Sequence, residues 1–361
     1  FLDEAEGEVN GWLGELDRLA SAEDVPSRPQ PEGLNADLRS YQFVGYCWLS
    51  WLREQEFGGV LADDMGLGKT LQAITLLLDE HKKDGPPSLV VAPTSVLHAW
   101  HAEAAKFAPS LNVYVHHGNR REKIIPEEVD VVVTSYTLLR IDPEIFSQPW
   151  RLLFLDEAQR IKNPASHIAR TCRELNARHR FALTGTPLEN RLLELWSIFE
   201  FLMPGFFGSR TYFQRRYCTP IERERDSEAL DDLRKRIRPF VLRRLKSEVA
   251  KELPPRQEQV LFCDLGPEQR QLYEKVRNTY RKSVLAQVKE KGVGRSSIPV
   301  LEALMRLRQA CCDPGLLPFP EAETVTASAK LDLLETTLEE SIPAGHRTLV
   351  FSQWTSLLQR V

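Results

Sequence analysis

Long hydrophobic runs are missing from this sequence of 361 residues. No run approaches the ~20 apolar residues that a helix needs to cross a bilayer. The opening residues, FLDEAEGEVN, are acidic and lack the basic flank and apolar core of a secretory signal. We therefore expect a soluble, intracellular protein with no membrane partner.

Cysteine is scarce and poorly spaced for a metal site or a disulfide framework. The six cysteines include no C-x-x-C pair, and the closest two, Cys311 and Cys312, are adjacent. The histidines at positions 98, 101, 116 and 117 have no carboxylate or cysteine at ligand spacing. We expect reduced thiols and neither a zinc site nor a disulfide scaffold.

The composition is that of a globular protein, with 42% hydrophobic and 27% charged residues. Enough apolar side chain is present to bury sizeable cores, which excludes disorder, collagen-like repeats and coiled coil for most of the length. At roughly 150 residues per domain, the length favours two lobes.

The net charge of −4 conceals an uneven distribution. Residues 1–32 contain nine acids and two arginines, whereas residues 210–256 contain fourteen Lys/Arg and eight Asp/Glu. A basic segment of this kind either meets phosphate or forms a solvated helix face, and both readings stay open.

Five short apolar runs alternate with helical patterns between residues 38 and 203. Continuous apolar strands separated by helices predict a doubly wound parallel sheet that is covered on both faces. Such a sheet binds ligands at the carboxyl ends of its strands. The runs are GGVLAD (58–63), SLVVAP (88–93), VDVVVTS (129–135), RLLFLDEA (151–158) and RFALTGT (180–186).

Changes in this pattern predict four segments. They are an acidic helix and linker at 1–33, an α/β lobe at 34–205, a helical protrusion with an inter-lobe linker at 206–256, and the start of a second lobe at 257–361. In the last segment we expect strands at 257–265 and 347–354, and helices through Leu272–Val288 and at about 300–311. Since the seven residues that follow this strand cannot complete a lobe, we expect a piece of a longer protein.

The sharpest motif is the glycine-rich loop MGLGKT at residues 65–70, between the first apolar run and a helical pattern. Its glycines allow a tight turn whose N–H groups converge on phosphate oxygens at the positive end of the next helix. Lys69 is suited to the β- and γ-phosphates, and the Thr70 hydroxyl to Mg²⁺. Asp63 occupies the first glycine position of the strict pattern.

Two acids end the apolar run that begins at residue 151. Asp156 is placed to hold Mg²⁺ through its water shell, and Glu157 to orient and deprotonate the attacking water. The alternative reading of an acidic strand end is a helix cap.

Several segments together resemble the Swi/Snf-type DNA-dependent ATPases of helicase superfamily two. The resemblance runs from about residue 34 to the end, and it includes the Asp63 departure from the strict loop. The segments are LRSYQ (38–42), DDMGLGKT (63–70), VVAPTSVLHAW (90–100), VVTSYTLL (132–139), LDEAQ (155–159), LTGTPLEN (183–190), RPFVLRRLKSEVAKELPP (238–255), LRLRQACCDPGLL (305–317) and LVFSQW (349–354).

The resemblance implies a RecA-like first lobe with an ATP site, followed by a helical protrusion and an incomplete second RecA-like lobe. Gln42 is similar to the family's adenine-reading glutamine, although it also fits an ordinary polar position on an amphipathic helix. Lys69, Asp156 and Glu157 take the catalytic positions. The loop residues that would bind the nucleotide are Asp64, Met65, Gly66, Leu67, Gly68, Lys69 and Thr70.

The resemblance also implies contacts to a nucleic-acid backbone. A coupling motif, Thr184, Gly185 and Thr186, would link the phosphate state to the grip on nucleic acid. The strand-end residues below also fit a cap or turn, and Trp354 fits an ordinary core aromatic. The implied contact residues are Thr94, Ser95, Thr134, Ser135, Tyr136, Ser352, Gln353 and Trp354.

The segment with Arg243, Arg244 and Lys246 resembles the family's lobe-one protrusion and linker. These side chains could touch DNA, brace the opposite lobe or face water, and the sequence does not choose among the three.

The whole reading predicts a monomeric, ATP- and Mg²⁺-dependent translocase on double-stranded DNA that remodels a DNA-bound protein with little strand separation. The family's later motifs, with their catalytic arginines, are absent, so we expect this chain alone to bind ATP but to hydrolyse it very slowly.

The absence of a basic targeting cluster favours a bacterial cytoplasm, on the nucleoid, over a nucleus. Two alternatives remain: an ATP-dependent RNA helicase, and a nucleotide-gated module that binds a protein through residues 1–33 or the protrusion.

Overall fold

The computed structural model describes residues 25–81, 85–119, 121–185, 191–249, 257–291 and 297–361. The chain divides into two compact units at residues 254–255. The predicted acidic helix before residue 25, and Thr186 of the coupling motif, lie outside the described residues. The boundaries at 33/34 and 205/206 stay predictions.

The first unit is built on a seven-stranded sheet in which every pairing is parallel. Its order is β3-β4-β2-β5-β6-β1-β7. All residues of β2 and β4 are buried, as expected for strands that are covered on both faces. The strands are β1 Gly59–Leu61, β2 Ser88–Ala92, β3 Val113–His116, β4 Val131–Ser135, β5 Trp150–Asp156, β6 Ala177–Leu183 and β7 Val241–Leu242.

This sheet confirms the predicted α/β fold class. All five predicted apolar runs form strands, and β3 and β7 are additions that the pattern did not indicate. The helices of the first unit are α1 Ser40–Glu54, α2 Lys69–His81, α3 Leu97–Phe107, α4 Tyr136–Ile141, α5 His167–Glu174, α6 Leu192–Leu202, α7 Arg210–Phe213, α8 Ser227–Ile237 and α9 Lys246–Val249.

The predicted protrusion forms short helices on a cluster of aromatic rings. Phe207 packs against Phe213 and Tyr217, with ring centroids 5.0 and 6.2 Å away. On the outer face, Arg216 and Arg236 both pair with Asp232. These arginines therefore belong to a partly solvated, internally paired helix face.

The second unit is helical in the part of it that the structure describes. Both predicted helices are confirmed as the first two of its helices. A small core joins them through Leu272, Val276 and Ala310. The helices are α10 Pro267–Lys291, α11 Ser297–Cys312, α12 Pro320–Glu323, α13 Ala329–Ser341 and α14 Thr355–Leu358.

The predictions of strands at 257–265 and 347–354 were wrong. A strand takes its hydrogen bonds from a neighbouring strand, and residues 257–291 and 297–361 contain none to pair with. Phe262 and Phe351 accordingly remain 90% and 87% exposed. Across both units, none of the described helices is both long and apolar enough to span a membrane.

Candidate nucleotide and nucleic-acid site

Three predicted motifs meet at the carboxyl ends of neighbouring strands. The phosphate loop follows β1, Asp156 ends β5 with Glu157 directly after it, and the coupling motif follows β6. Because β6 lies between β5 and β1, Leu183 pairs with both Asp156 and Leu61. The sheet therefore brings the predicted ATP-binding residues to one edge, as the topology of parallel sheets requires.

The phosphate loop depends on two glycines with backbone angles in the left-handed region. Gly66 has φ +82° and Gly68 has φ +78°, which residues with a Cβ rarely adopt. A Cβ on Gly68 would also lie 2.5 Å from the Gln42 amide nitrogen. Helix α2 begins directly afterwards at Lys69, so the loop leads into a helix N-terminus as predicted.

Lys69 points its ammonium group back over the loop. Its Nζ donates to the carbonyl oxygens of Asp63 and Asp64, at 2.7 and 3.2 Å. Burial lowers the pKa of Lys69, and the carboxylates of Asp63 and Glu157 oppose that shift. The cation thus lies between the loop and the acids of β5, where phosphate binding needs it.

Gln42, on α1, is hydrogen-bonded to the same loop. Its Nε2 donates to the carbonyl oxygen of Leu67 at 3.1 Å, and its Oε1 accepts the Arg39 N–H at 3.0 Å. The side chain is buried. The predicted adenine-reading residue therefore lies beside the phosphate loop, although it belongs to a different part of the chain.

The two acids at the end of β5 have different partners. Asp156 Oδ2 accepts the indole N–H of Trp100 at 2.8 Å, and Oδ1 accepts the Glu157 N–H at 2.9 Å. Burial raises the pKa of Asp156, and the bond from Trp100 lowers it. Burial also raises the pKa of Glu103, with a further contribution from Asp156, because Glu103 is one helical turn beyond Trp100.

Glu157 has φ +51°, a left-handed conformation that costs a non-glycine residue about 1–2 kcal/mol. Its Oε2 accepts the side-chain N–H of Gln159 at 2.6 Å, and Gln159 Oε1 accepts the hydroxyl of Thr184 at 3.1 Å. One glutamine thus joins the predicted catalytic base to the predicted coupling motif. Gln159 stood in the LDEAQ segment without a predicted role.

Gly185, the next residue of the coupling motif, lies against the loop. A Cβ at this position would come within 2.6 Å of the Met65 Cγ and 3.4 Å of the Lys69 Nζ. A side chain at this position would therefore require the exposed Met65 side chain to move.

The linker lies beside the phosphate loop because β7 pairs with β1. The Ala62 and Asp64 N–H groups donate to the carbonyl oxygens of Leu242 and Arg244, at 2.7 and 3.1 Å. The Arg244 guanidinium pairs with the fully buried Asp63, with Nε to Oδ1 at 2.9 Å. It also donates to Gln72 Oε1 and to the carbonyl oxygen of Tyr41.

The three basic residues of the linker therefore have different environments. Arg244 is bonded within the first unit, whereas Arg243 is exposed. Lys246 is exposed too; its backbone N–H donates to Asp64 Oδ2 at 3.0 Å, and its Nζ lies 3.0 Å from the Cβ position of Gly66. The sequence reasoning missed the Asp63–Arg244 pair, although an acid in place of a loop glycine was a signal for it.

The predicted nucleic-acid residues of the first unit fall into two groups. Thr94 and Ser95 are exposed, in the turn that precedes α3. Thr134, in contrast, is buried and donates to the His116 carbonyl oxygen at 3.1 Å, and Ser135 caps α4 by accepting the Leu138 N–H at 3.3 Å. The side chains at the end of β4 therefore act as the strand-end cap that was the alternative reading.

Tyr136 is also internal: its side chain is buried, and its hydroxyl donates to the Asp156 carbonyl oxygen at 2.7 Å. We expect Tyr136→Phe to lower the free energy of unfolding by about 1 kcal/mol, the ordinary cost of one lost hydrogen bond. The salt dependence of DNA binding should not change, because no phosphate contact is removed. Chemical denaturation and DNA titrations at several salt concentrations test both statements, and a shallower salt slope would contradict them.

The predicted contacts of the second unit form their own cluster. Arg308 donates to Gln353 Oε1 at 2.7 Å and lies over the Trp354 ring, 5.5 Å from its centroid. Ser352 Oγ accepts the Trp354 N–H at 3.1 Å. Trp354 is only half-buried, so it is not an ordinary core aromatic.

The donor set fits Mg²⁺ held with phosphates rather than a metal held by protein alone. Among the described residues, no group of three or more His, Cys, Asp or Glu side chains could hold a metal ion. Mg²⁺ is usually bound through one or two carboxylates together with substrate phosphates. The Asp156 carboxylate near Lys69, and the Thr70 hydroxyl in the first turn of α2, match that arrangement.

Comparisons with known proteins agree with this geometry. The SNF2-related domain family matches residues 41–316. The Bacillus subtilis protein YwqA, named as an ATP-dependent helicase/translocase, is 41% identical over 353 residues, covering 94% of this chain and 38% of YwqA. The human SWI/SNF-related matrix-associated actin-dependent regulator of chromatin subfamily A member 1 is 37% identical, over 89% of this chain and 32% of that protein.

A solved structure, the Sulfolobus solfataricus SWI2/SNF2 ATPase core in complex with double-stranded DNA, has a TM-score of 0.61 and 36% identity. The match covers 91% of this chain and 69% of that one. This chain spans less than two fifths of the length of the two curated relatives above. The matched residues, together with the phosphate loop and the acids at the end of β5, establish that the chain belongs to the SNF2-related domain family.

Proposed function

We propose that the chain forms part of an ATP-driven motor that moves along double-stranded DNA and remodels protein–DNA complexes. The observation that carries this proposal is the meeting of Lys69, Glu157 and Thr184 at adjoining strand ends, with Gln159 bonded to both of the last two. The arrangement suits a site in which the state of the nucleotide phosphates changes how tightly nucleic acid is bound. The similar Sulfolobus core is in complex with double-stranded DNA, which supports the choice of nucleic acid.

Each side chain then has a chemical task. The loop N–H groups and Lys69 hold the nucleotide phosphates, and Gln42 reads adenine beside them. Thr70 and Asp156 would hold Mg²⁺, which would supply positive charge to offset the charge on the transferring phosphoryl group. Glu157 accepts the proton of the attacking water, and the Gln159 N–H keeps its carboxylate turned toward Thr184.

DNA contacts would come first from the exposed turn of Thr94 and Ser95. Hydroxyl and backbone N–H groups at such a turn suit phosphate oxygens, which position a duplex without reading its sequence. The cluster of Gln353, Trp354 and Arg308 offers a second contact on the other unit. Affinity that depends on phosphate contacts should fall steeply with salt.

The proposal is tested by ATPase rates with and without double-stranded DNA, with Lys69→Ala as the control variant. Duplex DNA should stimulate hydrolysis in the longest natural form of the protein, and Lys69→Ala should abolish it because the phosphates lose their cation. The 361-residue chain alone should bind ATP but turn it over slowly, as expected where the family's catalytic arginines are missing.

The two alternatives give different results in the same assay. Stimulation by RNA but not by duplex DNA, with strand displacement, would replace the translocase by an RNA helicase. A rate that no nucleic acid raises would favour a nucleotide-gated module that binds a protein partner.

A further inference from the structure

The indole N–H of Trp100 is directed at the carboxylate that the proposed mechanism assigns to Mg²⁺. Trp100 Nε1 donates to Asp156 Oδ2 at 2.8 Å, and the Trp100 side chain is 2% exposed. Asp156 Oδ1 is held by the N–H of the adjoining residue, Glu157, at 2.9 Å. The two bonds hold both oxygens, and Trp100 is the donor that comes from a distant part of the chain.

Trp100 cannot turn away from this position without moving a packed helix. On α3, Leu97, Trp100 and Ala104 are buried at 0%, 2% and 3% exposure, which is one helix face at three- and four-residue spacing. This face belongs to the main hydrophobic core. The indole is therefore held in place by packing, as a group that orients another side chain must be.

Two other buried indole groups in the described part of the first unit bond to the backbone. Trp150, which begins β5, donates to the Phe146 carbonyl oxygen at 3.1 Å, and Trp48 donates to the Pro239 carbonyl oxygen at 3.1 Å. Trp100 differs because its partner is an acid at the nucleotide edge of the sheet. Buried indole N–H groups need a partner, and here the partner is functional.

We propose that Trp100 is a positioning residue that holds the Asp156 carboxylate in the orientation that receives Mg²⁺-bound nucleotide. This inference rests on the proposed function. An outer hydrogen bond of this kind restricts the rotation of an acid side chain that would hold a metal ion. Trp100 itself touches neither the nucleotide nor the metal in this proposal.

The test measures nucleotide binding rather than turnover. The affinity for a fluorescent ATP analogue is measured in Mg²⁺ and in EDTA, for the unmodified chain, Trp100→Phe and Trp150→Phe. Trp100→Phe should weaken binding in Mg²⁺ by about tenfold or more, the usual effect of losing an outer partner of a metal ligand. Binding in EDTA should stay unchanged, because the loop and Lys69 are intact.

Trp150→Phe is the matched control, since it removes an equally buried indole bond at the other end of the same strand. It should leave binding unchanged in both buffers. If Trp100→Phe fails to fold, replacement of Trp100 by benzothienylalanine keeps the ring volume and removes only the N–H donor.

Two results would overturn the inference. One is equal affinity of the Trp100 and Trp150 variants in Mg²⁺, and the other is equal weakening of Trp100→Phe in Mg²⁺ and in EDTA. Failure of the proposed function looks different: the unmodified chain would then bind the ATP analogue no better than Lys69→Ala does.

Discussion

Replacement of Arg244 by alanine should lower the free energy of unfolding of the first unit by about 3–5 kcal/mol. The Asp63 carboxylate is fully buried, and the Arg244 guanidinium is its ion-pair partner. Removal of the arginine leaves an unpaired charge in the core and takes a hydrogen bond from Gln72. Urea denaturation followed by circular dichroism measures this loss.

Arg243→Ala is the matched control, because the neighbouring side chain is exposed. Its effect should stay within about 0.5 kcal/mol, as is usual for surface positions. A double variant, Asp63→Asn with Arg244→Met, should recover part of the stability because no buried charge is left unpaired. Equal losses for Arg244→Ala and Arg243→Ala would show that the ion pair does not stabilise the unit.

In the longest natural form of the protein, with duplex DNA present, Glu157→Gln should reduce the rate of ATP hydrolysis by about 10²–10⁴-fold, the usual contribution of a positioned general base. Glutamine keeps the shape of the side chain but cannot accept a proton from water. Nucleotide affinity should be retained, because the loop and Lys69 hold the phosphates. Single-turnover hydrolysis, measured beside equilibrium binding of the nucleotide, separates the two quantities.

Glu174→Gln provides a control for this change, since Glu174 is an exposed acid at the end of α5. Its hydrolysis rate should equal that of the unmodified chain. A Glu157→Gln protein that still hydrolysed ATP at the unmodified rate would remove Glu157 from its assigned task.

The sequence predicted the centre of the sheet better than its edges. Fully apolar runs such as Leu152–Leu155 predict strands that are buried on both faces. The edge strand β3, Val113–His116, is only partly buried, and β7 has two residues, so neither carries a strong pattern. The failed strands at 257–265 and 347–354 have the same kind of apolar run, which shows that the run alone does not supply pairing partners.

The sequence also predicted only part of the candidate site. The motifs predicted that Lys69 and Asp156 lie close together, because the carboxyl ends of parallel strands lie at the same end of the sheet. The bond between Arg244 and Asp63 joins residues 181 positions apart, and no local pattern encodes such a pair. Tyr136 matched a nucleic-acid motif by letter, but the packing at the end of β4 turns its hydroxyl inward.

The position of β1 between β6 and β7 also has a consequence for biosynthesis. Val60 pairs with Ala182 on one side and with Val241 on the other, so the strand that carries the phosphate loop has only distant partners. Pairings of such long sequence separation form late and slowly. During synthesis, at roughly 5–20 residues per second, the phosphate loop is translated early. Strand β7, which pairs with β1, is translated about 180 residues later. We therefore expect the ability to bind ATP to arise only after the linker has left the ribosome.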